Sequence, residues 1–280
     1  MSGKEMKKTS DELFILDGKP SLGQTVPLAL QHIVAMIVGC VTPAIIVAGV
    51  AGLSEQDSII LIQAALVMSA ISTLLQLFPF KFGKFRIGSG LPVIMGISFA
   101  YVPTMQAIAG SFDVATILGA QIVGGILAYG CSNIFCALFG GLPTATYSQN
   151  VGIVGSTKVV AKRVFRTAAI VLLIAGLVPK FSSVLTTIPY CVLGGATVSV
   201  FASIAMTGVK LITAEPMTYR STSIVGLAIA LGMGITQANA ALATFPAWVT
   251  TIFGKSPVVV ATITAVILNL ILPKEKENKN

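Results

Sequence analysis

The sequence predicts an all-α, polytopic membrane protein. Three observations carry that expectation: an apolar composition, a series of apolar runs of spanning length, and charge confined to the ends of those runs. Of 280 residues, 55% are hydrophobic and only 10% charged, against roughly 25% charged in soluble domains. Mean hydropathy is +0.91. The acids are Glu5, Asp11, Glu12, Asp17, Glu55, Asp57, Asp113, Glu215, Glu275 and Glu277, all in tails or short connections. The net charge of +8 therefore points to the bilayer and not to nucleic acid, because Lys and Arg collect on the cytoplasmic side of spans.

Residues 1–22 include "MSGKEMKKTSDELFILDGKP", which is charged and lacks an apolar core with a cleavage site. It reads as a cytoplasmic tail and not as a signal peptide. A helix needs about 20 apolar residues to cross the hydrocarbon. Val26 to Val50, Ile59 to Phe78, Leu91 to Ala109, Val114 to Phe139, Thr167 to Leu185, Val192 to Ile212 and Ser223 to Ala243 qualify, and Val258 to Leu272 is shorter but uncharged. Lys4, Lys7, Lys8 and Lys19 precede the first run; Glu55 and Asp57 follow it; Lys81, Lys84 and Arg86 follow the second; Asp113 follows the third. That alternation predicts a cytoplasmic N-terminus. The clusters Lys158, Lys162, Arg163, Arg166 and Lys274, Lys276, Lys279 are expected on the same side, the last in a tail over 274–280. Val114 to Phe139 is long enough for one crossing and too short for two. The polar passage behind it, Leu142 to Thr157, is then expected to dip in and return.

The cysteines Cys40, Cys131, Cys136 and Cys191 lie inside apolar runs without CxxC or metal spacing. They read as packing residues, with no metal or cofactor implied. No HExxH, no pair of intramembrane acids and no nucleophile–base pair argues for a membrane enzyme.

Two passages break the apolar pattern: "GSGLPVIMGISFAYVP" and "GGLPTATYSQNVGIVG". Each reads either as an extended piece running into a half-helix or as an ordinary loop with a Gly-Leu-Pro turn. Half-helices leave backbone donors and acceptors free at membrane depth, where a polar ligand can satisfy them.

"QNVGIVGSTK" meets every fixed place of a known signature, which is Gln, Glu or Pro, then Asn, any residue, Gly, four of any kind, Thr, and Arg, Lys or Gly. Here those places hold Gln149, Asn150, Gly152, Thr157 and Lys158. "LALQHIVAMIVG", "LFGGLPTATYSQN", "IPYCVLGGATVSVFASIAMTG" and "TAVILNLILP" extend the match from about Leu16 to Pro273. The chain thus resembles the nucleobase–ascorbate transporter family, also called nucleobase–cation symporter 2. The resemblance implies a fold of two inverted repeats of seven spans, with broken third and tenth spans enclosing the base. It implies as site residues the backbone near Ser98, Phe99 and Ser148 and the Gln149 side chain. Asn150 either contacts the base or ties the broken backbone together. His32, the only histidine, either helps arrange the site or makes a helix–helix hydrogen bond. Gln149 in place of Glu favours an oxidised purine, xanthine or urate. The implied partners are that base, a coupling proton, the plasma (inner) membrane bilayer and a second copy in a homodimer.

Fourteen spans with their connections need upward of about 400 residues, and this chain has 280. "DVATILGAQIVGGI" resembles the first half of the family's fourth span and "LAYGCSNIFCALFGG" the segment before the tenth, so a join falls near Ile126. The division expected is first-repeat core spans over 23–126, second-repeat core with the signature over 127–188, and gate-type spans over 189–273. The absent middle carries, in the family, the glutamate that binds the base and takes part in proton coupling. Two functions from different classes remain: a shortened purine permease, or a non-transporting membrane protein that binds a base or assembles with a full-length relative.

Overall fold

The computed structural model describes residues 12–83, 85–124, 131–238 and 256–273, with 242, 244–246, 249–250 and 253–254 between. The chain is mostly helical and divides into two compact units, Met1–Val102 with Ile108–Ile204, and Pro103–Ala107 with Ala205–Asn280.

The first unit is organised by three helices. Helix α1 (Leu22–Val50) and α2 (Glu55–Leu77) are, among the described residues, the two long and apolar enough to cross a membrane alone. The Ser54 hydroxyl starts α2 by accepting the Asp57 N–H at 3.1 Å, which satisfies one orphan donor of the first turn. Further along the chain, α7 (Lys162–Leu177) packs against both. Met36, Ile62, Leu66, Phe165 and Leu172 fill the seam and are fully buried. Small residues let the helices approach: a β-carbon at Gly176 would lie 2.8 Å from Val67 Cγ2. The Gln63 amide of α2 donates to the Gly176 carbonyl at 3.0 Å. Such close contacts, together with hydrogen bonds across them, associate helices where lipid supplies no hydrophobic drive.

After α7 the chain turns by 84° into α8 (Pro179–Thr186). Thr167 to Leu185, expected as one run, is therefore not a straight span. Pro179 cannot donate an N–H to a continuing helix, and it opens the new one instead. Helix α9 follows as Tyr190–Ile212. In the second unit, α10 (Tyr219–Gln237) pairs with α11 (Pro257–Ile271). Arg220 Nη2 donates to Asn269 O at 2.7 Å and to Asn269 Oδ1 at 2.8 Å. A cation thus caps the last turn of α11, where the helix dipole is negative.

Short antiparallel pairs add to the all-α expectation. β1 (Phe80–Phe82) pairs with β2 (Phe85–Ile87) as a hairpin. β3 (Met95–Ile97) pairs with β4 (Thr144–Thr146), joining segments far apart in sequence. Each of the latter strands leads into helix. β3 continues through a 3₁₀ turn, Phe99–Tyr101, into α3 (Val102–Ala109), and β4 leads into α6 (Ser148–Thr157). Leu91 to Ala109 thus holds a short strand and a short helix.

The passage between them corrects the expected route. Val114 to Phe139 holds two helices, α4 (Val114–Gly124) and α5 (Cys131–Leu138), with 125–130 outside the described residues. They pack side by side, and Gln121 Nε2 donates to Asn133 O at 2.8 Å. A straight helix would separate those residues by about 18 Å. The run is not one crossing helix, so the argument for a signature element that dips in and returns no longer holds. Gly141 sits against Met68, midway along α2, whereas Val160 and Ala161 donate to Leu13 O at 3.0 and 3.2 Å. Between these points Leu142 to Thr157 runs one way, from the middle of the bundle to its end.

That end also holds the N-terminal segment. Lys162 N–H donates to Leu16 O at 2.9 Å, and Lys162 Nζ meets Asp17 at 2.8 Å. The first residues of α7 thereby find acceptors for N–H groups that the helix itself leaves free. The exposed ion pair adds little; the backbone bonds hold the strap. Leu13 and Lys162 therefore lie at one end of the bundle and Glu55 at the other. In a background lacking the four cysteines, Glu55→Cys and Lys162→Cys should report opposite faces. An impermeant thiol reagent on intact cells should label one of them and not the other. Equal labelling would contradict a bundle that crosses the membrane.

Candidate functional site

The β3–β4 pair is the polar centre of the first unit. Its register is Met95 with Thr146, Gly96 with Ala145 and Ile97 with Thr144. Hydrogen bonds extend the pairing at both ends: Ser98 N–H donates to Pro143 O at 3.1 Å, and Tyr147 N–H to Ile94 O at 3.0 Å. On the β3 side, Met95 N–H donates to Thr73 Oγ1 of α2 at 2.9 Å, and that hydroxyl donates to Ser69 O at 2.7 Å. On the β4 side, Asn133 Oδ1 accepts both the N–H and the hydroxyl of Thr144, at 2.8 and 3.2 Å. Asn133 and Thr144 are buried. Backbone groups of a three-residue strand are thus satisfied from helices on both sides, as burial requires.

Where each strand becomes a helix, the two junctions line one cavity of about 200 Å³. Its walls are Ile97, Ser98, Phe99, Ala145, Thr146, Tyr147, Gln149 and Ile204. The lining carries no charge. Phe99 stacks edge-on to Phe201, ring centroids 5.1 Å apart. Gln149 Nε2 is buried and, among the described residues, has no hydrogen-bond partner. An amide donor desolvated without a partner costs about 1–3 kcal/mol, so a ligand acceptor there recovers that energy.

The six residues expected from sequence sort into two layers. Ser98, Phe99 and Gln149 line the cavity. Ser148 is the first residue of α6. His32 and Asn150 do not line it. They are both buried and bonded to each other, Asn150 Nδ2 lying 3.2 Å from His32 Nδ1 and donating to His32 O at 3.3 Å. Donation to Nδ1 requires that nitrogen to be unprotonated, which leaves a neutral ring's proton on Nε2. The imidazole also packs against Phe165 of α7, centroids 4.7 Å apart. Asn150 Oδ1 has no partner among the described residues.

The end of the signature has a structural explanation. Lys158 follows the last residue of α6 with φ of 60°, a left-handed C-cap. Glycine adopts that conformation without strain, which accounts for Gly, though not for Arg or Lys, at that place of the signature. The Thr157 hydroxyl bonds back to Ile153 O at 2.8 Å. A β-carbon at Gly152 would meet nothing within 4 Å, and nothing in the structure explains its fixed place. Tyr147, Thr146, Asn133 and Gln121 were not expected from the sequence. Only Asn133 and Gln121 gave a signal, as amides inside an apolar run.

Comparison with known proteins decides the family. A sequence model described as "Permease family" matches residues 23–131 and, separately, 120–241. The chain belongs to this permease family. The two matches overlap at 120–131. Xanthine permease XanP of Escherichia coli K12 is 32% identical over 193 residues, covering 67% of this chain and 42% of the relative. Xanthine permease XanQ of the same organism is 34% identical over 160 residues, 57% of this chain and 34% of the relative. Uric acid permease PucJ of Bacillus subtilis 168 is 31% identical over 200 residues, 69% and 44%. The resemblance to the nucleobase–ascorbate transporter family is thereby established, and the chain is a multi-pass membrane protein of a transporter family, not an enzyme. It spans less than half the length of these relatives.

The Asn133 contact can be tested by stability. Asn133→Leu removes the acceptor that holds the Thr144 N–H and should cost about 1–3 kcal/mol, read as a lowered unfolding temperature of the purified permease in detergent. An unchanged temperature would show that Asn133 does not hold β4.

Proposed function

We propose that the permease binds an oxidised purine, xanthine or urate, between the two strand-to-helix junctions. The observation that carries this reading is the buried, unpartnered Gln149 amide nitrogen beside an uncharged cavity of about 200 Å³. Small-molecule pockets commonly run from about 300 Å³ upward, so this one suits a single planar heterocycle and not a nucleotide. An oxopurine edge alternates carbonyl acceptors with N–H donors, and a carboxamide offers one of each. The names of the relatives, xanthine and uric acid permeases, agree with that chemistry. In this reading Ser98, Phe99, Ser148 and Gln149 attend the base, while Asn150 and His32 brace the element that carries Gln149. The division into core spans over 23–126 and 127–188 and gate-type spans over 189–273 belongs to the same reading, as do an N-terminus on the cytoplasmic side and a homodimer.

Proton coupling is the family's mode, and here a specific observation favours a second reading. The described acids Glu12, Asp17, Glu55, Asp57, Asp113 and Glu215 all sit outside helices or in a first turn. Asp113, for example, accepts the Thr116 N–H and hydroxyl at 2.9 and 2.7 Å. Those bonds hold its carboxyl below the usual range, as expected of an exposed helix cap. None offers a carboxylate inside the bundle to carry a proton across. The chain then binds or equilibrates the base, or assembles with a longer relative, without driving accumulation.

Two measurements test these readings. Gln149→Leu should weaken binding of radiolabelled xanthine or urate by about tenfold or more, the loss of one buried hydrogen bond, with membrane insertion intact. Unchanged affinity would remove Gln149 from the site. In proteoliposomes of the purified permease, an uncoupler should leave base entry unaltered. Robust uptake that an uncoupler abolishes would instead show that this chain couples protons by itself.

A further inference from the structure

The Tyr147 ring is buried, and it is gripped at both edges by backbone. A β-carbon at Gly96 of β3 would overlap Tyr147 Cε2 and lie 2.8 Å from Cζ and 2.9 Å from Cδ2. Across the ring, a β-carbon at Gly39 of α1 would lie 3.0 Å from Cε1 and 3.6 Å from Cζ. No larger residue fits at Gly96 unless the ring moves.

We infer that Tyr147, wedged between Gly39 and Gly96, sets the spacing of the two strand-to-helix junctions and is a positioning residue for base recognition at Gln149. The inference rests on the base site proposed above. The wedge sits at the end of the strand pairing, where Tyr147 N–H donates to Ile94 O at 3.0 Å and Tyr147 O accepts the Val151 N–H at 3.1 Å. Tyr147 therefore fixes both the last strand contact of β4 and the first turn of α6, and Gln149 is in that first turn. Helix α1 holds the same element twice. His32 and Gly39 are seven residues apart, two helical turns on one face; one bonds Asn150 and the other receives the Tyr147 ring. Cys40, next to Gly39, lies 3.1 Å from Ser69 Oγ of α2, which ties the receiving helix to the helix behind it. The Tyr147 hydroxyl meets the Cys40 thiol, a weak hydrogen-bond partner at most. The wedge therefore acts mainly through the shape of the ring.

The experiment is a size-exchange series on the full chain: Gly96→Ala, Tyr147→Leu, both together, and Tyr147→Phe. Xanthine and hypoxanthine binding and thermal unfolding are measured on each purified protein. Gly96→Ala should weaken xanthine binding by about tenfold or more. It should also lower the ratio of xanthine to hypoxanthine affinity, which general destabilisation would leave alone. The double variant, with space restored, should recover affinity relative to Gly96→Ala, and Tyr147→Phe should match the wild type. Unchanged binding in Gly96→Ala, or additive losses in the double variant, would overturn the wedge. If the wild type binds neither base, the site reading fails and the wedge is judged on unfolding temperature. Recovery in the double variant then supports it, and additive loss overturns it.

Discussion

Everything near the candidate site depends on one constraint: backbone N–H and C=O groups of two short strands, buried among helices, must all find partners. At membrane depth water does not supply them, and each failure is expensive. The β3–β4 pair meets the constraint partly by itself and partly by borrowing. Thr73 supplies an acceptor to β3 and Asn133 one to β4, so a helix stands behind each strand as a substitute for a neighbouring strand. What the arrangement leaves over is concentrated at the strand-to-helix junctions, where Gln149 faces the cavity.

The three-helix bundle of α1, α2 and α7 is the frame for that pair. It presents a hydroxyl to β3, a glycine to the Tyr147 ring and a histidine to Asn150. The layers divide the labour. The residues that line the cavity carry no charge, and behind them the Asn133 and Asn150 amides bond backbone. His32 belongs to the second layer, and its neighbour Phe165 places it between α1, α6 and α7.

The membrane class, the helices Leu22–Val50 and Glu55–Leu77, and the polar signature were legible because each is a strong local signal: length, hydropathy, or an amide amid apolar residues. Gln149 stood out for that reason, and so did His32. The strands were legible only as interruptions, since three residues are too few to show a period of two. The α4–α5 packing was not legible, because an unbroken apolar run looks the same whether it is straight or folded back. The 84° turn at Val178 had a visible marker in Pro179, but a proline inside a membrane helix is often tolerated. The contacts of Leu13 and Leu16 with the start of α7 are backbone bonds, and backbone bonds leave no trace in residue identity.

Those last contacts govern the order of assembly. Leu13 is made before any helix of the bundle, yet the N–H groups it accepts belong to Val160 and Ala161, far later in the chain. The strap thus precedes α1, α2 and the signature helix in the chain and cannot be seated until all three have been made. Closing so long a loop adds only a modest entropic cost, because that cost grows with the logarithm of length. The delay is kinetic: until Val160 and Ala161 are made Leu13 lacks these partners, so its seating follows the three helices between them.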